Sequence, residues 1–181
     1  MTSEAKREMV LLRSAEGSEF FLPIEAAEVA ELVRDSLDEN EDDDDDDQRN
    51  KEQREVDVIR VSCDCLAKVV DFLKHHDEEP MTEIPTPLGG NSFEEVMPQQ
   101  WYQNFVADDN MSQEMLFELL TAANYMGIKP LLDLACLKVT FQLNGKSAEE
   151  IRLILNLPEL TPEEERLARE EHRWIFEDNY P

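Results

Sequence analysis

Residues 114–143 read EMLFELLTAANYMGIKPLLDLACLKVTFQL. With Met111-Ser112-Gln113 in front, this is the most apolar and most regular stretch of a very acidic chain. It predicts two helices broken at Gly127. The first carries Leu116, Phe117, Leu119, Leu120 and Ala123. Gly127 suits the left-handed residue that ends a helix, and Pro130 suits the first turn of the next. The second helix runs to Leu143 and stops at Asn144-Gly145. Its apolar residues form two stripes. Leu132, Cys136, Val139 and Leu143 recur at helical spacing on one side; Leu131, Leu134, Leu137 and Phe141 fill another. A helix apolar around most of its circumference needs cover around most of its circumference.

The rest of the composition narrows the partners. The chain has 181 residues, 41% of them hydrophobic, enough for a core in one or two small domains. Its net charge is −26. Nucleic acid and anionic membrane surfaces are bound by neutralising phosphate with Lys and Arg, so both are expected to repel it. No apolar run approaches the roughly 20 residues of a membrane helix, and the N-terminal MTSEAKREMV lacks the apolar stretch of a signal peptide. The cysteines are Cys63, Cys65 and Cys136. An odd count without an export signal reads as reduced thiols in an intracellular protein, expected in cytoplasm and nucleus.

Working back from the centre, Met9–Leu12 and Glu19–Leu22 flank Ala15-Glu16-Gly17-Ser18 and predict a hairpin. Pro23 opens a helix with Ile24, Ala27, Val29, Leu32, Val33 and Leu37 as its apolar set. From Asp38 to Asp47 nine of ten residues are acidic. Such a run repels itself and offers nothing to bury, so residues 38–55 read as a disordered loop. It lacks the spaced ligands and turn glycine of a calcium loop. Val56, Val58, Ile59 and Val61 predict a third strand, and Ser62 caps a helix through Leu66, Val69, Val70, Phe72 and Leu73. Pro80, Pro85, Pro87 and Gly89-Gly90 mark 77–97 as a second flexible insertion. Trp101 and Phe105, four apart, suggest a short helix docked on the core.

Beyond the central pair, Ser147-Ala148-Glu149-Glu150 and Thr161-Pro162-Glu163-Glu164 are capping boxes that start two further helices. The first presents Ile151, Ile154 and Leu155; the second presents Leu167, Ala168, Trp174 and Ile175. Strands and helices come first and helices alone follow, which is the pattern of an α+β fold with a helical C-terminal part.

Catalytic chemistry finds little support. Cys63, Cys65, His75 and His76 invite a zinc reading, but 63–76 is most easily a helix, on which residues two apart point about 200° apart. Cys65 then packs as a small hydrophobe. There is no phosphate-binding glycine loop, nucleophile elbow or metalloprotease helix. No enzyme, metal or cofactor is expected. The apolar stripes remain. Ordinary core packing is the usual reading of such stripes. Here the last two helices bring few large apolar residues. They are too few to cover both stripes of 130–143 and Trp174 as well. The excess fits a partner surface, with Trp174 a common anchor type.

Leu116-Phe117-Glu118-Leu119-Leu120, Ala122-Ala123-Asn124-Tyr125-Met126 and Ile128-Lys129-Pro130-Leu131-Leu132-Asp133 closely resemble the signature of the S-phase kinase-associated (Skp) adaptor family. So do Gly145 to Arg152 and the stretch from Thr161 to Trp174. Met9–Leu37 and Asp71–His76 resemble it more weakly. The resemblance implies a BTB/POZ-like fold over residues 1–127, with disordered insertions at about 38–55 and 77–97. Residues 128–181 would then be C-terminal F-box-binding helices. It implies a non-catalytic adaptor that links F-box substrate receptors to the N-terminal region of a cullin in a ubiquitin ligase. By that resemblance Asn124 and Tyr125 face the cullin. The F-box surface comprises Leu132, Cys136, Val139, Leu143, Ile151, Leu155, Leu157 and Trp174. The two C-terminal helices separate the chain from elongin C, which shares only the BTB part.

Several positions depart from the family pattern. Gly127 stands for an acidic residue, Pro130 for glycine, and Tyr102 for an acidic residue near the cullin side. Ala148 replaces the proline that some protist members hydroxylate, and Leu155 and Leu157 stand where bulky aromatics are usual. A self-associating BTB-type scaffold, a homodimer through the same apolar surface, is the alternative.

Overall fold

The computed structural model describes residues 7–39 and 54–173. It divides into two compact units, Met1–Phe141 and Gln142–Pro181. The division falls later in the chain than the 127/128 boundary drawn from the sequence.

In the first unit, strands β1 (Met9–Arg13) and β2 (Glu19–Pro23) pair antiparallel, with Val10 opposite Leu22 and Leu12 opposite Phe20. Strand β3 (Arg54–Asp57) adds parallel to the other side of β1, with Leu12 opposite Val56, giving the order β2-β1-β3. Alternate residues point to one face, so Val10, Leu12, Leu22 and Val56 are buried together in the core. The sequence reading left Arg54 and Glu55 in the acidic loop. They belong to the strand instead. The ladder needs only backbone groups, and the charges are matched across it. The Arg13 guanidinium lies 3.0 Å from both Glu55 and Asp57 and 3.6 Å from Glu19. The remainder of that loop, residues 40–53, lies outside the described residues.

The helix expected after Pro23 is two helices, α1 (Ile24–Ala27) and α2 (Glu31–Glu39). The break has a packing cause. Ala26, Ala27 and Ala30 are fully buried. The chain turns tightly there, with the Ala30 N–H donating to Ala27 O and the Val33 N–H to Ala30 O.

Helix α3 (Cys63–Glu78) begins at Ser62, whose hydroxyl accepts from the Cys65 N–H, and buries Cys65, Leu66, Val69, Val70, Phe72 and Leu73. The stretch 77–97, expected as a flexible, disordered insertion, is instead ordered and joins the fold at both ends. α3 runs through 77 and 78. Thr82 donates to the Gln99 side-chain oxygen through its N–H at 2.7 Å and its hydroxyl at 2.9 Å. The short helix α4 (Phe93–Val96) and Met97 deliver Val96 and Met97 into the core. Prolines and glycines here shape a tied-down connection.

Helix α5 (Gln100–Phe105) places Trp101, Tyr102 and Phe105 against Phe72 and His75 of α3. Trp101 stacks on His75 with centroids 3.9 Å apart, and on Phe105 at 4.9 Å. Helix α6 (Gln113–Met126) follows, capped by Ser112, and buries Leu116, Leu119, Ala122, Ala123 and Met126 against α3 and α2. Helix α7 (Lys129–Leu143) spans the division between the units. In the second unit, α8 (Ala148–Ile154) and α9 (Pro162–Glu171) start at the two capping boxes the sequence announces, at Ser147/Glu150 and Thr161/Glu164.

Candidate partner-binding surfaces

The two stripes of α7 meet different fates. Leu131, Leu134 and Leu137 are buried, and Phe141 packs edge-on against Phe93 of α4. On the other side Leu132 and Val139 are only partly buried against the core and Cys136 is exposed. The spacing 132, 136, 139, 143 lines up one row along the helix. Its solvent edge is polar: Lys129 pairs with Asp133 at 2.6 Å, and the Thr140 hydroxyl folds back onto the Cys136 carbonyl at 2.8 Å. Partial burial and the nearby Asp133 carboxylate hold the Cys136 thiol above its usual range, so it stays protonated and apolar at neutral pH. The Cys65 thiol, fully buried, is pushed up to about 12 by burial, with Glu118 adding to the effect. Neither is prepared as a nucleophile. Among the described residues no three His, Cys, Asp or Glu side chains converge on one point.

In the C-terminal unit, Ile151 and Leu155 lie at intermediate exposure and Leu157 is 52% exposed. The chain leaves α8 through Asn156 in a left-handed conformation, φ 51°. Asparagine tolerates that region better than most residues. The Leu157 N–H returns to the Arg152 carbonyl at 2.9 Å. This turn holds Leu157 outward. Leu153, Leu160 and Leu167 are exposed as well. The sequence reading puts Leu167 on a helix face with Trp174 but gives Leu153 and Leu160 no surface, because helical spacing alone does not say which side of a short helix will be left open. Trp174 lies outside the described residues.

Asn124 and Tyr125 sit at the C-terminal end of α6. Gly127 takes φ 68°; its N–H bonds Asn124 O, and the Ile128 N–H bonds Ala123 O at 2.9 Å. That pair of bonds is the Schellman arrangement, which fixes the end of the helix. Asn124 is exposed and Tyr125 half-buried. The Arg60 guanidinium stands over the Tyr125 ring, 5.5 Å from its centroid. No local signal announced that contact, because 65 positions separate the two residues.

The ring of Tyr102, a position the resemblance sets near the cullin side, is fully buried. The hydroxyl donates to the Glu79 carbonyl at 2.6 Å and lies 3.3 Å from His76 Nδ1. The substitution is a core feature.

The geometry therefore defines a class: a small α+β domain whose last long helix keeps an apolar row at its surface, continued by a short helical unit. Residues 129–175 match the Skp1 family, dimerisation domain. The SKP1-like protein 1A of Arabidopsis thaliana is 34% identical over 173 residues, covering 93% of this chain and 97% of that protein. The E3 ubiquitin ligase complex SCF subunit sconC of Emericella nidulans is 33% identical over 167 residues, 92% and 95% of the two chains. Suppressor of kinetochore protein 1 of Schizosaccharomyces pombe is 39% identical over 117 residues, 63% and 70% of the two. The chain belongs to the Skp1 family.

Proposed function

We propose that this protein is a non-catalytic adaptor of a Skp–cullin–F-box ubiquitin ligase. It binds an F-box substrate receptor through its C-terminal part and a cullin N-terminal region through its BTB/POZ-like part, and so promotes ubiquitination of the receptor's cargo in cytoplasm and nucleus. The observation that carries this reading is the asymmetry of α7. Leu131, Leu134 and Leu137 are buried while Leu132, Cys136 and Val139, on the same helix, are left partly or fully open. An F-box helix laid on that row, with Leu143, Ile151, Leu155, Leu157 and Trp174 contributing, supplies the missing cover. Binding by an apolar groove that takes an amphipathic helix is a recurrent mode of recognition. The family relation supports it, since a relative bears the name of a ubiquitin ligase complex subunit.

Asn124 and Tyr125 are assigned to the cullin. The test is co-expression of the chain with an F-box fragment and a cullin N-terminal fragment, followed by light scattering on a sizing column. A ternary complex of one copy each is the expected result. A dimer of the chain that ignores the F-box fragment overturns the adaptor reading in favour of the self-associating scaffold.

A further inference from the structure

Residues 79–82 leave the end of α3 for the proline-rich connection, and hydrogen bonds that meet at His76 hold them down. His76 Nδ1 accepts from the Met81 N–H at 3.2 Å. The same nitrogen lies 3.3 Å from the Tyr102 hydroxyl of α5. That hydroxyl donates to the Glu79 carbonyl at 2.6 Å. Its one proton is therefore used, and it meets the imidazole with a lone pair. Because Nδ1 accepts from Met81, the neutral ring carries its proton on Nε2. The ring stacks on Phe72 with centroids 5.5 Å apart, and the Met81 side chain packs, partly buried, against the core.

A proton added to His76 goes to Nδ1, and there it changes two bonds at once. The Met81 N–H faces another N–H and loses its acceptor. The new Nδ1–H gains an acceptor, the Tyr102 oxygen. Charged and titratable groups face the ring from every element around it. α3 brings His75 and Asp77, and Asp77 is paired with Arg7 at 2.9 Å. The connection brings Glu79, and α5 brings Tyr102. His75 itself stacks on Trp101, with its Nε2 buried 3.7 Å from the Glu79 carboxylate. Burial, then His75, hold His76 below its ordinary 6.5, with Asp77 opposing them. The fold thus favours the neutral ring. A base lowered on folding lends stability that is present above its unfolded value and lost as pH falls through the folded one.

We propose that His76 is a proton-operated clasp on residues 79–82: neutral, it holds the segment through the Met81 N–H; protonated, it lets Met81 go and bonds Tyr102 instead. The release is local. Tyr102 keeps its bond to the Glu79 carbonyl, and Thr82 stays on Gln99, so Met81 is freed between two fixed points. The clasp stands on its own, apart from any reading of the partner surfaces.

The experiment is nuclear magnetic resonance on the full ¹⁵N-labelled chain, titrated from about pH 7.5 to about pH 5. At the upper end the imidazole nitrogens of His76 are expected to report the Nε2–H tautomer. The Met81 amide shift should then follow the His76 titration. Its protection against hydrogen exchange, corrected for the intrinsic rate, should fall at least about tenfold, while that of Thr82 changes less than about threefold. Tyr102→Phe takes away the acceptor offered to the charged ring, so its His76 midpoint should move to lower pH. His76→Asn keeps an acceptor near Nδ1 that does not titrate, and its Met81 protection should stay level. An Nδ1–H tautomer at neutral pH, a midpoint unmoved in Tyr102→Phe, or a fall in Met81 protection that is as large in His76→Asn as in the parent overturns the clasp. In the last case His75 or Glu79 drives the change. Should His76→Asn fail to fold, the parent decides: coincident Met81 and His76 titrations uphold the clasp, and separate ones overturn it.

Discussion

Gly127 and Glu31 are in direct register. A Cβ built on Gly127 would stand 2.7 Å from the Cβ of Glu31, the first residue of α2. The glycine therefore serves two purposes at once. It accepts φ 68° at the end of α6, and it lets α2 come up against the turn between α6 and α7. The Skp resemblance puts an acidic residue at this position. Here a side chain of any kind meets α2 backbone-proximal atoms.

Gly127→Ala is expected to destabilise the first unit by about 2 kcal/mol, from the left-handed conformation and the contact together. Denaturant unfolding followed by circular dichroism measures it. A loss below about 0.5 kcal/mol, the range of neutral surface changes, means that α2 moves aside freely.

Tyr102 makes a second expectation separable from function. Tyr102→Phe removes the hydroxyl that donates to Glu79 O and leaves a part-buried carbonyl without that partner. The cost is expected to be about 1–2 kcal/mol. Burial and then the nearby Glu79 push the phenol up to about 12 from an ordinary 10.0. A group whose value is raised on folding adds stability below its unfolded value and loses it as pH rises through the folded one. Between pH 10 and 12 the parent chain should thus lose more stability than Tyr102→Phe does. Equal losses would show that the phenol ionises without regard to the fold. Cullin binding should be the same in both proteins, because the ring is buried.

What was legible in the sequence was local. Ser62, Ser147 and Thr161 each cap the helix that follows, and Gly127 ends α6. Those signals act over three or four residues and survive any packing. The misreadings share a different cause. The break before Ala30 comes from burying three alanines, and β3 reaches back to Arg54 because Arg13 neutralises its acids. Thr82 is held by Gln99, 17 positions away, so the proline-rich stretch is not loose. Arg60 on Tyr125 is a tertiary contact of the same kind. Of the candidate surface, the row on α7 followed from periodicity. Which of its two stripes stayed open did not, since both are equally apolar.

That row can be tested without disturbing the fold. Cys136 is exposed at its middle, so Cys136→Glu adds a charge where water already reaches. Unfolding free energy should change by less than about 0.5 kcal/mol. An F-box helix laid over the row buries that carboxylate without a partner, and its affinity should fall at least about tenfold, roughly 1.4 kcal/mol. Unchanged affinity in a titration with an F-box fragment would place the interface elsewhere.

The C-terminal unit should respond to acid in its own way. At the start of α8 the Glu150 carboxylate accepts from the Ser147 N–H at 2.8 Å, and at the start of α9 Glu164 accepts from the Thr161 N–H at 2.8 Å. Those backbone bonds, followed by the side-chain bonds to the same Ser and Thr, hold both carboxyls below their ordinary 4.5. A carboxyl lowered on folding contributes stability above its unfolded value and loses it as pH falls through the folded one. Neither helix has a fully buried residue, so the caps are a large part of what starts them. Acidification below about pH 4.5 is therefore expected to fray α8 and α9. A Glu150→Gln/Glu164→Gln chain keeps both boxes with a neutral acceptor. It should show a smaller loss of helical ellipticity over that range, and F-box binding that falls less steeply with pH. If the two proteins titrate identically, the carboxylates of the boxes are not what sets the acid response of this unit.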